Sequence, residues 1–246
     1  MKKISVILAV HNGQEYIQET LTSLLSQTYK EFEIIIVLNC SSDATKEIIQ
    51  KLDDARIFLY ETSVCQLAFN LNYGLNKASG EYIVRIDADD IADPKRLEKQ
   101  LETIEKYGYD VVGTNITYID ENTQPIGKKI YPEHNKAIRK AIFYTCPLAH
   151  PSVMYKKEVI MGVGGYMNGK VSEDYDLWLR LMRNPEVVFY NMQEPLTHYR
   201  IHANQAKGNT YAYAEIAGYM LRETLFRKSL RCFIGIFIYI FKMIVK

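Results

Sequence analysis

Apolar residues recur along the first half of the chain in two alternating rhythms, and the alternation predicts a fold class. Continuous or β-branched runs at residues 4–10, 33–38, 56–60 and 82–86 read as strands. Between them, residues 16–27, 43–52 and 66–77 carry apolar side chains at helical spacing, with Ser42 or Asp43 a suitable cap for the second helix. Strand and helix in regular alternation argue for βαβ units. Asp93 and Pro94, as cap and first helical residue, open another helix running to about Tyr107, and a strand follows at 110–114. The expected fold is therefore α/β, with a mostly parallel, Rossmann-like central sheet flanked by helices.

The pattern changes in the second half. From Tyr118 to Pro151 it is mixed and rich in Tyr, Pro and His, after which Gly162, Gly164, Gly165 and Gly169 precede a helix announced by Leu177, Trp178 and Leu181. No repeat, low-complexity tract or linker separates the parts. Residues 1–114 read as a nucleotide-binding half and 115–220 as an acceptor half, the two sharing one core. Residues 221–246 read as a further amphipathic helix: Arg222, Arg227, Lys228 and Arg231 precede the apolar run 232–241, with Lys242 and Lys246 closing it. Ten apolar residues fall well short of the roughly 20 needed to span a bilayer, which leaves a helix lying in the membrane interface or one packed on the domain or a partner subunit.

Charge and cysteine content narrow the function classes. Thirty Lys plus Arg against 29 Asp plus Glu give a formal charge of +1, so no overall field argues for nucleic acid as a partner. Cys40, Cys65, Cys146 and Cys232 are far apart and form no C-x-x-C pair, fitting neither a zinc site nor a secreted disulfide framework; a reducing cytoplasm is the simpler reading. Met1-Lys2-Lys3 and the run behind it imitate a signal peptide only superficially, because a largely apolar run only seven residues long leads into His11-Asn12-Gly13 without a cleavage site.

Ligands in parallel α/β sheets bind beyond the carboxyl ends of the strands. Three polar clusters fall there: His11-Asn12-Gly13, Asn39 to Asp43, and Asp87-Ala88-Asp89-Asp90. The last crowds three carboxylates into four residues, a repulsion that a hard cation would relieve. Neither a P-loop nor a post-strand G-x-G-x-x-G occurs, so a Mg²⁺ or Mn²⁺ ion would have to carry a bound diphosphate. The plainer reading makes Asp89 and Asp90 a solvated turn and Asp93 a helix cap. A second acidic group, Glu173-Asp174-Tyr175-Asp176, opens the helix ending near Leu181 and offers a base for a hydroxyl, Asp174 being preferred; the plainer reading has these carboxylates merely complementing the helix dipole behind a Ser172 cap. His150 and His202 are ligands or hydrogen-bonded structural residues.

In their order these segments resemble the family 2 glycosyltransferases, over roughly residues 4–205. The matching pieces run from Ser5–Gly13 through Ser26-Gln27-Thr28-Tyr29, Asn72-Tyr73-Gly74-Leu75-Asn76, Ala78-Ser79-Gly80-Glu81-Tyr82 and Asp87-Ala88-Asp89-Asp90 with Pro94 and Arg96. They continue with His150-Pro151-Ser152-Val153, Gly164-Gly165-Tyr166, Glu173 to Trp178, and His202 in Tyr-Arg-Ile-His. The resemblance implies a GT-A fold and inverting transfer of a sugar from a nucleotide-diphosphate sugar to a saccharide or lipid-linked acceptor, in cell-surface polysaccharide or glycolipid assembly. It implies Asp174 as general base, and Val10, His11, Asn12, Glu15, Asn39, Asp87, Ala88 and Asp89 around the donor. Asp89, Asp87 and His202 are the implied ligands of Mn²⁺ or Mg²⁺, and His150, Gly165, Glu173 and Trp178 line the implied sugar and acceptor pocket. Where many relatives show Asp-Asp-Gly-Ser after the second strand, this chain has Asn39-Cys40-Ser41-Ser42; Asn39 can still accept from a base imide, leaving UDP- or dTDP-sugars as expected donors. Two other readings share some features, a sugar-1-phosphate nucleotidyltransferase and a non-catalytic membrane-bound relative. The first should carry a glycine-rich basic loop after its first strand, and His11-Asn12-Gly13-Gln14-Glu15 is not one; intact Asp87, Asp89 and Asp174 speak against the second.

Overall fold

A computed structural model describes residues 3–167, 169–202 and 210–245; Met1, Lys2 and Lys246 lie outside the described residues, as do the last positions of the family likeness. Its strands are β1 (Ile4–Val10), β2 (Phe32–Asn39), β3 (Ile57–Thr62), β4 (Tyr82–Arg85), β5 (Ile91–Ala92), β6 (Val111–Ile119), β7 (Pro125–Lys129), β8 (Met154–Lys156) and β9 (Phe189–Arg200). Its helices are α1 (Ile17–Leu25), α2 (Thr45–Gln50), α3 (Leu67–Lys77), α4 (Arg96–Tyr107), α5 (Asn135–Ala141), α6 (Lys157–Gly162), α7 (Glu173–Leu181), α8 (Thr210–Arg227) and α9 (Leu230–Val245). The strands join one sheet in the order β3-β2-β1-β4-β8-β6-β9-β5, with β7 paired to β6.

The first-half strands β3, β2, β1 and β4 are mutually parallel, as the alternation predicts. β1 and β2 are buried nearly throughout because helices cover both faces, which is why their sequences run apolar without alternating. α3 and α7 lie over one face and α1, α2 and α4 over the other, giving two apolar cores divided by the sheet. Beyond β4 the sheet becomes mixed: β8 is antiparallel to both β4 and β6, while β9 returns parallel to β6. Three residues of β8 were too few to carry a legible period. β6 runs straight through residue 114, so the two halves are stitched into a single sheet.

Several of the ordered motifs turn out to hold the fold together. At the amino end of the sheet, Ser5 Oγ donates to Glu33 Oε1 at 2.6 Å, Ser79 N and Oγ donate to the same oxygen at 2.7 and 2.8 Å, and Gly80 N donates to Ser5 Oγ at 2.8 Å. This buried knot ties β1, β2 and the turn into β4 together. Gly80 is obligatory there, because a Cβ would sit 2.6 Å from Ser5 N and 2.8 Å from the Ile4 carbonyl carbon, both backbone atoms. Gly80→Ala is expected to cost about 1–3 kcal/mol, an overpacking penalty, and to lower the urea midpoint accordingly; an unchanged midpoint would show that the turn yields freely. Gln27 likewise caps α4, accepting from Leu97 N at 3.0 Å and donating to Asp93 O at 2.7 Å. Asp93 accepts from Lys95 N at 2.9 Å in the turn ahead of the helix, but the helix begins at Arg96 with Lys95 at its cap position, so Asp93 and Pro94 are not the cap and first helical residue expected.

Two expectations need correction. Cys40 and Cys65 are joined in a disulfide, with Cα atoms 6.1 Å apart, whereas Cys146 and Cys232 are free. The 25-residue spacing concealed it; the register Asn39↔Thr62 between parallel β2 and β3 ends the two strands side by side, bringing the loops behind them together. The single helix expected over 221–246 is two helices, because Lys228 adopts φ 49 and turns the chain between α8 and α9.

Candidate active site

The carboxyl ends of β1 and β4, the first turn of α7 and the aromatic faces of β6 and β9 enclose a cleft of about 810 Å³. Volumes of roughly 300–1,000 Å³ suit small-molecule ligands. Val10, His11, Asn12 and Glu15 line it from β1 and the loop behind, Asp87, Ala88 and Asp89 from the end of β4, and His150, Glu173 and Asp174 from the opposite wall, with His202 alongside. Residues more than 190 positions apart in sequence, Val10 and His202, thus share one cavity.

The loop after β1 is held by the loop after β2. His11 Nδ1 lies 2.8 Å from Asn39 O, Gly13 N donates to Thr45 Oγ1 at 2.8 Å, and Ser42 N donates to Asn12 Oδ1 at 2.9 Å. Asn39 is largely buried and is not among the residues lining the cleft; its main-chain carbonyl, rather than the side-chain amide expected to meet a base, is what His11 contacts. The disulfide fixes the far side of the same loop, since Cys40 belongs to it.

Asp87, Asp89 and Asp90 offer ligand oxygens within 4.8 Å of one another, and His202 Nε2 stands 2.9 Å from Asp89 Oδ2. Asp90 is no solvated turn. It is buried, accepts from Arg200 N at 3.0 Å, and its other oxygen is buried without a hydrogen-bond partner among the described residues. Burial first, and then the neighbouring Asp87 and Asp89 charges, push its carboxyl well above the usual carboxylate range. Burial likewise raises Asp87, against the opposing effect of Arg85. A set of three hard oxygens under mutual repulsion, one of them unpartnered, fits a Mg²⁺- or Mn²⁺-sized ion.

Two arginines that periodicity did not single out position these carboxylates. Arg85, buried at the end of β4, pairs with Asp87. Arg200, at the end of β9, donates through Nε to Asp89 O at 2.9 Å and lies 4.6 Å over the Tyr16 ring. Both were hidden because a strand-terminal arginine has no pattern of its own; only topology brings β9 to the Asp89 loop.

Across the cleft, Asp174 Oδ1 accepts from Tyr175 N at 2.7 Å, and the Cys146 thiol lies 3.7 Å from Oδ2. Burial raises Asp174 to about 6 and Glu173 to about 8, so at neutral pH Asp174 is the one that ionises. Asp176 points elsewhere, bound by Arg180 at 2.7 Å and also by Arg222. Ser172 does not cap α7; its hydroxyl donates to Glu215.

Gly165 and Trp178 do not line the cleft. Trp178 is fully buried one turn beyond Asp174, edge-on to His150 with ring centroids 6.2 Å apart. Gly165, with φ +70, leaves room for Asn72, whose amide exchanges hydrogen bonds with Tyr166 N and O at 2.8 and 2.6 Å. Tyr166 in turn holds His150 Nε2 at 2.8 Å, so two separate motifs serve to fix one histidine. Burial depresses the His150 pKa well below its ordinary value, keeping it neutral.

Comparison with known proteins identifies the family and the fold. The family model described as Glycosyl transferase family 2 matches residues 5–163. An O-antigen biosynthesis glycosyltransferase, WbnJ, of Escherichia coli is 38% identical over 99% of this chain and 97% of its own length. A putative teichuronic acid biosynthesis glycosyltransferase, TuaG, of Bacillus subtilis is 30% identical over 94% and 93%. Among solved structures, S. aureus TarS 1-349 in complex with UDP-GlcNAc superposes with a TM-score of 0.74 at 19% identity, covering 90% of this chain and 66% of that one. A mannosyltransferase from Pyrobaculum calidifontis in complex with GDP-Man and Mn²⁺ gives 0.64 at 16%, covering 89% and 63%.

Proposed function

The chain belongs to glycosyl transferase family 2 and has a GT-A fold, and on that premise we propose that it transfers a sugar, with inversion, from a UDP- or dTDP-sugar to a hydroxyl of a saccharide or lipid-linked acceptor. The observation that carries this reading is that two acidic groups line one cleft: Asp87 and Asp89 at the strand end, with Asp90 buried beside them, and Asp174 in the first turn of α7. The cluster suits a diphosphate-bound cation and Asp174 suits proton removal from an attacking hydroxyl. The proposed halves follow the same division, 1–114 holding the donor and 115–220 the acceptor.

In this reading Val10, His11, Asn12 and Glu15 border the nucleotide, and Asn39 acts through His11. Asp87, Asp89 and His202 hold Mn²⁺ or Mg²⁺, with Asp90 buried behind them; the ion, when bound, neutralises charge developing on the departing nucleoside diphosphate. Asp174 Oδ2 accepts the acceptor proton as the hydroxyl oxygen attacks the anomeric carbon. Glu173, uncharged near neutrality, and neutral His150 keep that wall from repelling it. The relatives named for O-antigen and teichuronic acid biosynthesis support a cell-surface polysaccharide role, and the proposed place of action is the cytoplasm, on the inner face of the cell membrane.

The test is a panel of nucleotide sugars with Mn²⁺, Mg²⁺ or EDTA, read as nucleotide release and as transfer to glycan acceptors. Cation-dependent release from a uridine or thymidine diphosphate sugar is expected, and release of pyrophosphate from a nucleoside triphosphate and sugar phosphate would favour a nucleotidyltransferase instead. The pH dependence has a defined sign. A base works only when ionised, so kcat/KM, which reports the free enzyme, should fall about tenfold per pH unit below the Asp174 value of about 6 and level off above it. A kcat/KM flat from acid to neutral pH would remove Asp174 from that role.

A further inference from the structure

α9 presents its apolar side outward. Cys232, Gly235 and Tyr239 pack against the protein, while Phe233, Ile234, Phe237, Ile240, Phe241 and Ile244 are all exposed along the opposite face. Leu225 and Phe226, at the end of α8, are also exposed. A surface helix ordinarily turns polar residues to water, and contiguous apolar patches of this kind mark interaction sites.

The charge around it says what covers it. No Asp or Glu follows Glu223 in the chain. A shallow hollow of about 350 Å³ beside α9 is lined by Lys136, Arg139, Lys140 and Arg231, without a carboxylate. Arg227 and Lys228 sit exposed at the turn between α8 and α9. A second copy docking on this face would bring like charges together. An anionic lipid surface satisfies both features, accepting the apolar residues below its headgroups and pairing its phosphates with the basic rim. No helix among the described residues is long and apolar enough to cross a membrane. α9, with 16 residues, is about 24 Å long against a hydrocarbon core of roughly 30 Å.

We infer that the α8–α9 hairpin docks the protein peripherally on an anionic bilayer, α9 lying in the interface with its basic rim on lipid phosphates. The docking element leans on the wall that carries the proposed base: Tyr239 Oη is 2.7 Å from Tyr175 Oη, next to Asp174, and Lys242 donates to Tyr144 O. A lipid-linked acceptor, a consequence that rests on the proposed transferase reading, would therefore be presented beside that wall.

Flotation of the full chain with phosphatidylcholine vesicles, with and without phosphatidylglycerol, tests the inference alongside light scattering and nucleotide release from a soluble donor. The chain should float with the anionic vesicles and lose only part of its binding in high salt. Phe237→Glu, at an exposed position, should lower partitioning more than tenfold, and Lys136→Glu and Arg231→Glu about fivefold or more each, with folding by circular dichroism and nucleotide release unchanged. Failure to float with either vesicle type would overturn the inference, as would a dimer that Phe237→Glu dissociates. Nucleotide release without flotation sinks the membrane reading alone; flotation without release sinks the transferase reading alone.

Discussion

Asp174→Asn is expected to cut sugar transfer by a factor of about 10²–10⁴, the usual contribution of a positioned general base, while donor affinity stays within about twofold. The substitution preserves shape, and Asn keeps an oxygen to accept from Tyr175 N, the 2.7 Å contact that orients the side chain. It removes only the capacity to hold a proton. The loss corresponds to roughly 2.7–5.5 kcal/mol of transition-state stabilisation, and it should appear in kcat rather than in the dissociation constant measured by calorimetry. Neighbouring carboxylates are poor substitutes. Asp176 is committed to Arg180 and Arg222, and Glu173, raised to about 8, holds its proton at neutral pH. Transfer at the parent rate by a folded variant would reduce Asp174 to a helix-terminal charge.

What the sequence revealed and what it concealed divide along physical lines. β1, β2, β4 and the helices between them were legible because each is long enough to display a period and is buried in a way that enforces it, while β3, a half-exposed edge strand, showed as a short apolar run. β8, with three residues, and β5, with two, have no period; they are strands only because β4, β6 and β9 supply their hydrogen bonds. The acidic clusters were legible because crowding like charges is costly and so conspicuous. Arg85 and Arg200, which offset that cost, stood unremarked at strand ends. The disulfide was missed for the same reason as β8: sequence spacing says nothing of which parallel strands end side by side. Gly165 and Trp178 belonged to the right motifs but serve behind the cleft wall, where His150 and Tyr166 transmit their packing to the site. A motif tells which residues act together, not which of them face the ligand.

Removing the divalent cation should weaken binding of a nucleoside diphosphate about a hundredfold or more, since the several kcal/mol that a bound metal contributes have no substitute in a glycine-rich or basic loop. The sign of the effect in Asp89→Ala is more informative than its size. With Mn²⁺ present the variant should bind the diphosphate far more weakly than the parent, because one ligand oxygen and the His202 contact are lost together. In EDTA the order should close or reverse. Without a cation, the cleft-lining Asp87 and Asp89 repel the phosphates, and deleting the Asp89 carboxylate relieves part of that repulsion. The two titration series should therefore converge or cross, which simple unfolding of the site cannot produce. The metal alone gives an independent readout: Mn²⁺ should raise the melting temperature of the parent, by the linkage of binding to folding, and leave that of Asp89→Ala nearly unmoved. Equal diphosphate affinity for the parent with and without EDTA would show that the carboxylate cluster holds no ion during binding, and the donor phosphates would then have to be held by Arg85 and the backbone of the His11 loop.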